Sequence, residues 1–153
     1  MKTRFAAERH VDAPADVVYH CLADYREHHR PEGFLPSAFT EFEIHRGGVG
    51  AGTEASWTTE IGGRKRRMTA TIAEPEPGRR LVETATGVVT TFTVLPAGAG
   101  CVVRFDSTFD EPGLGGVLLR LFAGRTVGPL YADELVRLDA YARAHGSVVA
   151  AAV

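Results

Sequence analysis

The sequence predicts an α+β domain in which one curved antiparallel sheet packs against a long C-terminal helix. Residues 39–110 contain six strand-like segments separated by short turns rich in glycine and proline. Residues 114–145 return to helical spacing. Strands and helices are therefore segregated along the chain, which is typical of α+β proteins rather than of alternating α/β proteins.

Length and composition predict a single domain over residues 1–153, with a core from about 3 to 145 and a tail from 146 to 153. The formal net charge of −2 gives no general attraction to nucleic acid or anionic membranes. No apolar run is long enough for stable membrane insertion, and the N-terminus lacks the apolar region of a signal peptide. Cys21 and Cys101 have no CxxC spacing and read as apolar core residues, so we expect a cytoplasmic protein.

The first elements are a strand, a helix and a polar turn. Residues 3–11 alternate loosely and predict a strand. The stretch VDAPADVVYHCLADY predicts a helix over about 14–24, because proline suits a first helical turn and Asp16 complements the helix dipole. Residues 25–32 predict a short second helix or turn, ended by Pro31 and Gly33.

The six segments that follow predict an antiparallel meander, because short turns join each one to the next. They are FTEFEIHR, TEASWTTEI, RKRRMTATIAE, RRLVETAT, VVTTFTVLP and CVVRFDSTFDE.

The terminal helix of residues 114–145 contains Gly124, Gly128 and Pro129, so we expect a kink or break near 125–129. A seven-stranded sheet of this length curls, and this helix is the element long enough to cover its concave face. The space left between them is predicted to be a ligand cavity.

Four stretches carry a resemblance to a known superfamily: VDAPADVVYHCLADY, GGVGAGTEASW, AEPEPGRRLVE and GAGCVVRFDSTF. The sequence resembles the START-like (SRPBCC, Bet v 1-like) helix-grip proteins over residues 3–145, and within them the bacterial polyketide cyclase/dehydrase and lipid-transport type. The resemblance implies a β-α-α-β6-α order and a deep, mostly apolar cavity between sheet and helix. The fold hosts cyclases, aromatases, hydrolases, lipid carriers and binding modules, so it specifies architecture more than activity.

The adjacent histidines His28 and His29 lie in the stretch YREHHRPEGF. Neighbouring residues on a helix point about 100° apart, and no histidine or cysteine follows at helical spacing, so we expect no metal site. Two interpretations of these histidines remain open: they lie in a solvated polar turn, or one of them lines the cavity mouth. With Tyr131, these two histidines are the candidates for a catalytic acid or base.

Two further motifs have simple structural interpretations. The glycine-rich residues 50–55 match a loose GxGxxA pattern, but a strand follows them instead of a helix, so they predict a hairpin at the cavity rim and not a nucleotide site. The basic run GRKRR over residues 63–67 alternates between the two sheet faces and predicts solvated strand ends.

Side chains that share a sheet face or the helix stripe form the candidate ligand-binding set, with plain core packing as the alternative. The set comprises Tyr25, His29, Phe34, Trp57, Thr59, Phe92, Phe105, Ser107, Leu118, Phe122 and Tyr131. Charged residues on the alternate strand positions are predicted on the convex surface: Glu54, Glu60, Glu83, Arg104 and Asp106.

The predicted function is binding of a small hydrophobic molecule, of polyketide, lipid or isoprenoid-like chemistry, without a cofactor. A cyclase/dehydratase that uses one cavity acid or base is an alternative, and a protein-interaction module with a collapsed pocket is another. An enzyme requires a titratable group facing the cavity, whereas a binding protein requires only apolar walls and one or two polar anchors. We expect a monomer or homodimer.

Overall fold

The computed structural model describes the backbone of residues 2–61 and 63–152, and their side chains except those of 118–120, 122, 123 and 147–152. The elements are β1 (Lys2–Val11), α1 (Ala15–Ala23), β2 (Phe39–Arg46), β3 (Glu54–Ile61), β4 (Arg64–Glu76), β5 (Arg80–Ala85), β6 (Val88–Ala97), β7 (Gly100–Asp110) and α2 (Gly113–Ala152). The α+β class and the helix-grip layout predicted from the sequence are confirmed. Within the described residues, no helix has the length and apolarity required to cross a membrane.

One seven-stranded sheet has the order β1-β7-β6-β5-β4-β3-β2, and every neighbouring pair is antiparallel. Strands β2 to β7 follow one another as the predicted meander, because their turns are only a few residues long. Strand β1 then pairs along its whole length with β7, from Lys2 opposite Asp110 to Val11 opposite Cys101. The edges of the sheet are therefore β1 and β2.

The core lies between the concave face of the sheet and the second half of α2, with α1 closing one side. Val127, Leu135 and Leu138 are buried on one stripe of α2. They meet α1 and strand residues such as Phe105, which is fully buried. Both cysteines are buried and free, as the sequence indicated.

Residues 25–34 form consecutive turns and not the second helix of the predicted order. The carboxylate of Asp24 accepts the backbone N–H groups of Arg26 and Glu27, each at 2.9 Å. This local cap competes with a helical path for the chain. Gly33 closes the turns, because a Cβ there would lie 1.8 Å from the carbonyl oxygen of His28.

Helix α2 continues through Pro129, so of the kink or break predicted near 125–129 the break is wrong. Proline removes one backbone hydrogen bond, but the packing of the neighbouring turns on the core holds the helix together. Gly128 lies against β1, where a Cβ would be 3.2 Å from Cζ of Phe5. The Gly-Pro pair thus allows close approach of helix and sheet.

Candidate functional site

A cavity of about 130 Å³ lies between the concave face of the sheet and α2. Its wall is mainly aromatic and aliphatic, with a few polar groups. The lining residues are Tyr25, His29, Leu35, Phe39, Phe42, Trp57, Thr59, Ile61, Arg66, Met68, Glu83, Thr86, Gly87, Val88, Thr90, Phe92, Phe105, Phe109, Glu111, Val127, Leu130, Tyr131 and Glu134. A space of this size holds a molecule on the scale of one aromatic ring without any movement of the walls.

Most of the residues predicted to bind ligand do line this cavity: Tyr25, His29, Trp57, Thr59, Phe92, Phe105 and Tyr131. Phe34 and Ser107 lie behind the wall. Phe34 packs on the ring of His29 at 4.9 Å, and Ser107 bonds to Tyr131. The side chains of Leu118 and Phe122 are outside the described residues.

The aromatic wall is braced by its own ring contacts. Phe105 meets Phe92 edge to face at 4.8 Å and Tyr131 at 5.9 Å. Trp57 stacks on Phe42 at 6.2 Å. Such contacts hold the rings in fixed orientations, so the cavity keeps its shape without a ligand.

Glu83 on β5 is the first polar group that the sequence interpretation misplaced. It was predicted on the convex surface, but it lines the cavity and accepts a hydrogen bond from the Tyr25 hydroxyl at 2.7 Å. Burial raises the pKa of Glu83 to about 7, although the Tyr25 hydrogen bond opposes this shift. Alternation from the buried Leu81 would have placed it correctly, because residues two apart share a sheet face.

Glu134 on α2 is a second cavity carboxyl, and the sequence analysis did not single it out. It is 4% exposed and lines the cavity. Burial raises its pKa well above the ordinary value, and the nearby charge of Glu83 raises it further. Its position three residues after Tyr131 and four before the buried Leu138 places it on the core stripe of the helix. The raised pKa favours the protonated carboxyl of Glu134 over its carboxylate.

His29 is the one of the two adjacent histidines that lines the cavity. Its Nδ1–H donates to the carbonyl oxygen of Leu22 at 2.7 Å, which leaves Nε2 as an acceptor. Nε2 lies 3.8 Å from Oε1 of Glu134. The ring also stacks on Tyr25 at 4.3 Å. Burial lowers the pKa of His29 to about 4, so the imidazole is neutral at pH 7.

Tyr131 completes the polar part of the wall. Its hydroxyl is 2.6 Å from Oγ of Ser107, and Ser107 is 2.7 Å from Oγ1 of Thr90. Burial raises the pKa of Tyr131 to about 12, so the phenol stays protonated. Across the cavity, the indole N–H of Trp57 is buried and makes no hydrogen bond with any described residue.

His28 points away from the cavity, so the structure does not support it at the cavity mouth. Its Nδ1 is 2.7 Å from the Tyr141 hydroxyl, and its ring meets that of His20 edge to face at 5.6 Å. Together with Asp24, these two histidines form a group whose donor atoms lie within 4.8 Å of one another. Among the described residues, this is the one group of three or more such side chains whose donor atoms lie close enough together to hold a metal ion.

One part of the cavity wall is formed by the β5–β6 turn and the start of β4. There the guanidinium of Arg66 pairs with the carboxylate of Glu111, beside Gly87. Arg67 lies on the opposite face of β4, where it donates to the carbonyl oxygen of Glu41 at 2.7 Å and to Oγ of Ser56 at 2.7 Å. The basic run is thus divided between two faces, as strand alternation predicted.

A curved antiparallel sheet around a C-terminal helix, with an apolar cavity between them, defines a helix-grip protein. The family model described as "Polyketide cyclase / dehydrase and lipid transport" matches residues 2–143, and the chain belongs to this family. No curated protein matches the chain.

Solved structures show the same fold. The KanY protein, determined by NMR, is 25% identical, with 94% of this chain and 99% of that chain covered and a TM-score of 0.77. The Zhui aromatase/cyclase from Streptomyces sp. R1128 is 18% identical, with 95% and 96% covered and a TM-score of 0.72. The di-domain ARO/CYC StfQ of the steffimycin biosynthetic pathway is 17% identical, with 96% and 53% covered and a TM-score of 0.76. The last two likenesses concern the fold alone.

Proposed function

We propose that this protein binds a compact hydrophobic molecule in the cavity between sheet and α2. The observation that carries the proposal is an aromatic cavity of about 130 Å³ whose wall includes a few polar groups. Of the polyketide, lipid and isoprenoid-like ligands considered from the sequence, this size favours a polyketide-like molecule of one ring, or of two fused rings if the walls move slightly. A long acyl chain would need a longer channel.

Hydrogen-bond donors in the wall indicate an oxygen on the ligand. The raised pKa of Glu134 favours a protonated carboxyl, which offers an O–H group, and the buried N–H of Trp57 lacks a partner among the described residues. A carbonyl or phenol oxygen can accept from the Glu134 carboxyl, and from the Trp57 N–H once the indole turns toward the cavity. Burying such donors without an acceptor costs about 1–3 kcal/mol each, so a ligand that pairs them gains specificity as well as affinity.

A matched pair of substitutions on β3 tests the binding site. Thr59 lines the cavity, whereas its neighbour Glu60 is exposed on the other face. Thr59→Trp fills the cavity, and Glu60→Trp adds the same ring to the surface. We expect 2-naphthol and 2-tetralone to raise the melting temperature of the natural protein and of Glu60→Trp, but not that of Thr59→Trp. Palmitate should have a weaker effect.

Native mass spectrometry of the purified chain provides an independent readout, because a retained ligand appears as an added mass that denaturation removes. Equal thermal shifts in Thr59→Trp and the natural protein would show that the probes bind elsewhere. Absence of any shift across the panel, together with an empty protein, would instead favour an interaction module.

A second candidate function is acid-base catalysis on the bound molecule, as in a cyclase or dehydratase. The observation that favours it is the pair of cavity carboxyls. The pKa of Glu83 is about 7, so it is partly ionised at neutral pH, while burial and the charge of Glu83 raise the pKa of Glu134 and favour its protonated form. Two nearby carboxyls with different protonation states are suited to act as base and acid.

In such a reaction the Glu83 carboxylate removes a proton from the carbon next to a ligand carbonyl, and Glu134 donates its proton to the carbonyl oxygen. The enol carbon then attacks a second carbonyl carbon of the same molecule in an aldol-type ring closure, in which the new alkoxide takes the proton from Glu83 and the enol O–H returns its proton to Glu134. The Tyr25 hydroxyl, 2.7 Å from Glu83, stabilises the carboxylate before the proton moves. A positioned acid or base typically contributes about 10²–10⁴-fold to such a rate.

Deuterium exchange at the carbon beside the carbonyl of 2-tetralone, followed by proton NMR in D₂O, tests this second function without knowledge of the natural substrate. We expect the natural protein and Glu60→Gln to accelerate exchange, and Glu83→Gln to lose at least about tenfold of the acceleration. If 2-tetralone binds but exchanges no faster than in buffer, the protein binds without this chemistry.

A further inference from the structure

A second cluster of chemically capable side chains lies outside the cavity, at the C-terminal end of α1. His20, Asp24 and His28 each offer one donor atom, and these atoms lie within 4.8 Å of one another. Asp24 and His28 are buried, and His20 is partly buried. The four-residue spacing places His20 near Asp24, and the turn after α1 brings His28 back to both.

His20 contains a polar atom without a partner. Its Nε2 is buried and makes no hydrogen bond with any described residue. Oδ2 of Asp24 lies 3.6 Å away, beyond hydrogen-bond distance. A cation placed between this nitrogen and this oxygen would give both atoms a partner.

The remaining atoms of the cluster are already oriented by neighbours. Nδ1 of His28 is 2.7 Å from the Tyr141 hydroxyl, so the tautomer that donates to this oxygen leaves the Nε2 lone pair available. Oδ1 of Asp24 accepts the N–H groups of Arg26 and Glu27, each at 2.9 Å, which fixes the carboxylate. Metal ligands are commonly held in this way by a second layer of hydrogen bonds.

Two imidazoles and one carboxylate are the donor set of zinc and non-haem iron(II) sites that keep a coordination position open. Donor atoms on a tetrahedral zinc ion stand about 3.4 Å apart. A bound ion would therefore draw these side chains together by at most about 1.4 Å, a distance within reach of χ1 and χ2 rotations. Magnesium and calcium prefer oxygen ligands and fit this set poorly.

We propose that His20, Asp24 and His28 form a binding site for a divalent transition-metal ion, with zinc as the fitting class, separate from the apolar cavity. His20 also lines a shallow surface pocket with Tyr19 and Glu74, whose side chains share a hydrogen bond of 2.6 Å. This pocket gives an ion a route from solvent, and it gives the open coordination position room for water.

Cobalt(II) and zinc(II) are the probes. The full chain is stripped with EDTA, freed of the chelator, and titrated with Co²⁺ while visible absorption is recorded. Zn²⁺ is then added as a competitor. We expect one equivalent of Co²⁺ with visible ligand-field bands, displacement by Zn²⁺, and a melting temperature about 5–10 °C higher at a hundredfold excess of Zn²⁺ over Kd.

His20→Ala should weaken binding at least about tenfold, and His10→Ala, which removes an exposed histidine of β1, should leave it unchanged. Tyr141→Phe keeps all three ligands and removes only the hydrogen bond to His28, so it should weaken binding by about tenfold with the same stoichiometry. Thr59→Trp should bind Co²⁺ normally, which separates this site from the cavity.

Two results would overturn the proposal. One is the absence of ligand-field bands at saturating Co²⁺. The other is equal Co²⁺ affinity in the natural protein, His20→Ala and Asp24→Asn, which would assign binding to other histidines. Far-UV circular dichroism of each variant establishes that lost binding does not reflect lost folding.

Discussion

Replacing Glu83 with glutamine should change how the stability of the protein depends on pH. Glutamine keeps an oxygen that can accept the hydrogen bond from Tyr25 but removes the titrating proton. In the natural protein, burial raises the pKa of Glu83 from 4.5 to about 7. Between these values the unfolded chain ionises while the folded protein retains its proton, so the free energy of unfolding falls as pH rises.

The size of the effect follows from the two pKa values. Below pH 4.5 both states are protonated, and above pH 7 both are ionised, so the penalty grows only within that window and persists in full above it. At about 1.4 kcal/mol per pH unit, the penalty in the natural protein grows by about 2.5 kcal/mol between pH 5 and pH 8. This is an upper bound, because Glu83 is only partly buried and its remaining solvent exposure screens the effect.

His29 contributes a change of the opposite sign, which is why the variant must be compared with the natural protein at each pH. The pKa of His29 is lowered from 6.5 to about 4. His29 does not lower the free energy of unfolding above pH 6.5. As pH falls from 6.5 toward 4 the free energy of unfolding decreases, because the unfolded chain binds a proton before the folded protein does. Both proteins contain His29, so the difference between them isolates Glu83.

Urea unfolding at pH 5, 6, 7 and 8, followed by far-UV circular dichroism, measures the difference. We expect Glu83→Gln to gain up to about 2.5 kcal/mol over the natural protein between pH 5 and pH 8, a midpoint shift of roughly 1 M urea. Glu60→Gln, on the exposed face of β3, should show no such trend. A stability difference between Glu83→Gln and the natural protein that does not change with pH would refute the raised pKa and weaken the proposed acid-base role.

Two further predictions concern the fold. Phe105→Ala should lower the free energy of unfolding by about 3–5 kcal/mol in urea titrations, because the ring is fully buried among other rings of the cavity wall; a loss below about 1 kcal/mol would show that the wall is not rigid. Gly33→Ala should destabilise by several kcal/mol in thermal melts, because its Cβ would overlap the carbonyl of His28. A Cβ added at Gly115 on α2 would have no atom within 4 Å, so Gly115→Ala should be neutral or stabilising by up to about 1 kcal/mol.

The fold was predictable because turn chemistry and strand alternation are local signals. The glycine- and proline-rich breaks between residues 39 and 110 determine where each strand ends, and short connections leave antiparallel pairing as the simple outcome. The helix does not break at Pro129. The expectation of a break came from a local rule about proline, whereas the packing of the neighbouring turns on the core holds this helix together.

The candidate site was predicted in its apolar part and missed in its polar part. Aromatic residues were assigned to the cavity because they lie on the sheet face or helix stripe that was expected to be buried, and most of them line the cavity. Glu83 and Glu134 were missed because charge was taken as a sign of solvent exposure, although strand alternation and helix stripe placed them inward. The His20–Asp24–His28 spacing was visible, but only the residues after His28 were considered as ligand partners.

The pairing of β1 with β7 has a consequence for how the chain folds. The first ten or so residues form their sheet contacts with residues 101–110, so this edge of the sheet closes only after residue 110 has been synthesised. The meander from β2 to β7 can assemble by successive hairpins, but β1 must wait, and such distant contacts slow folding. During translation β1 is therefore the strand that lacks its partner, and a second nascent copy, or a chaperone, would meet it before β7 is made.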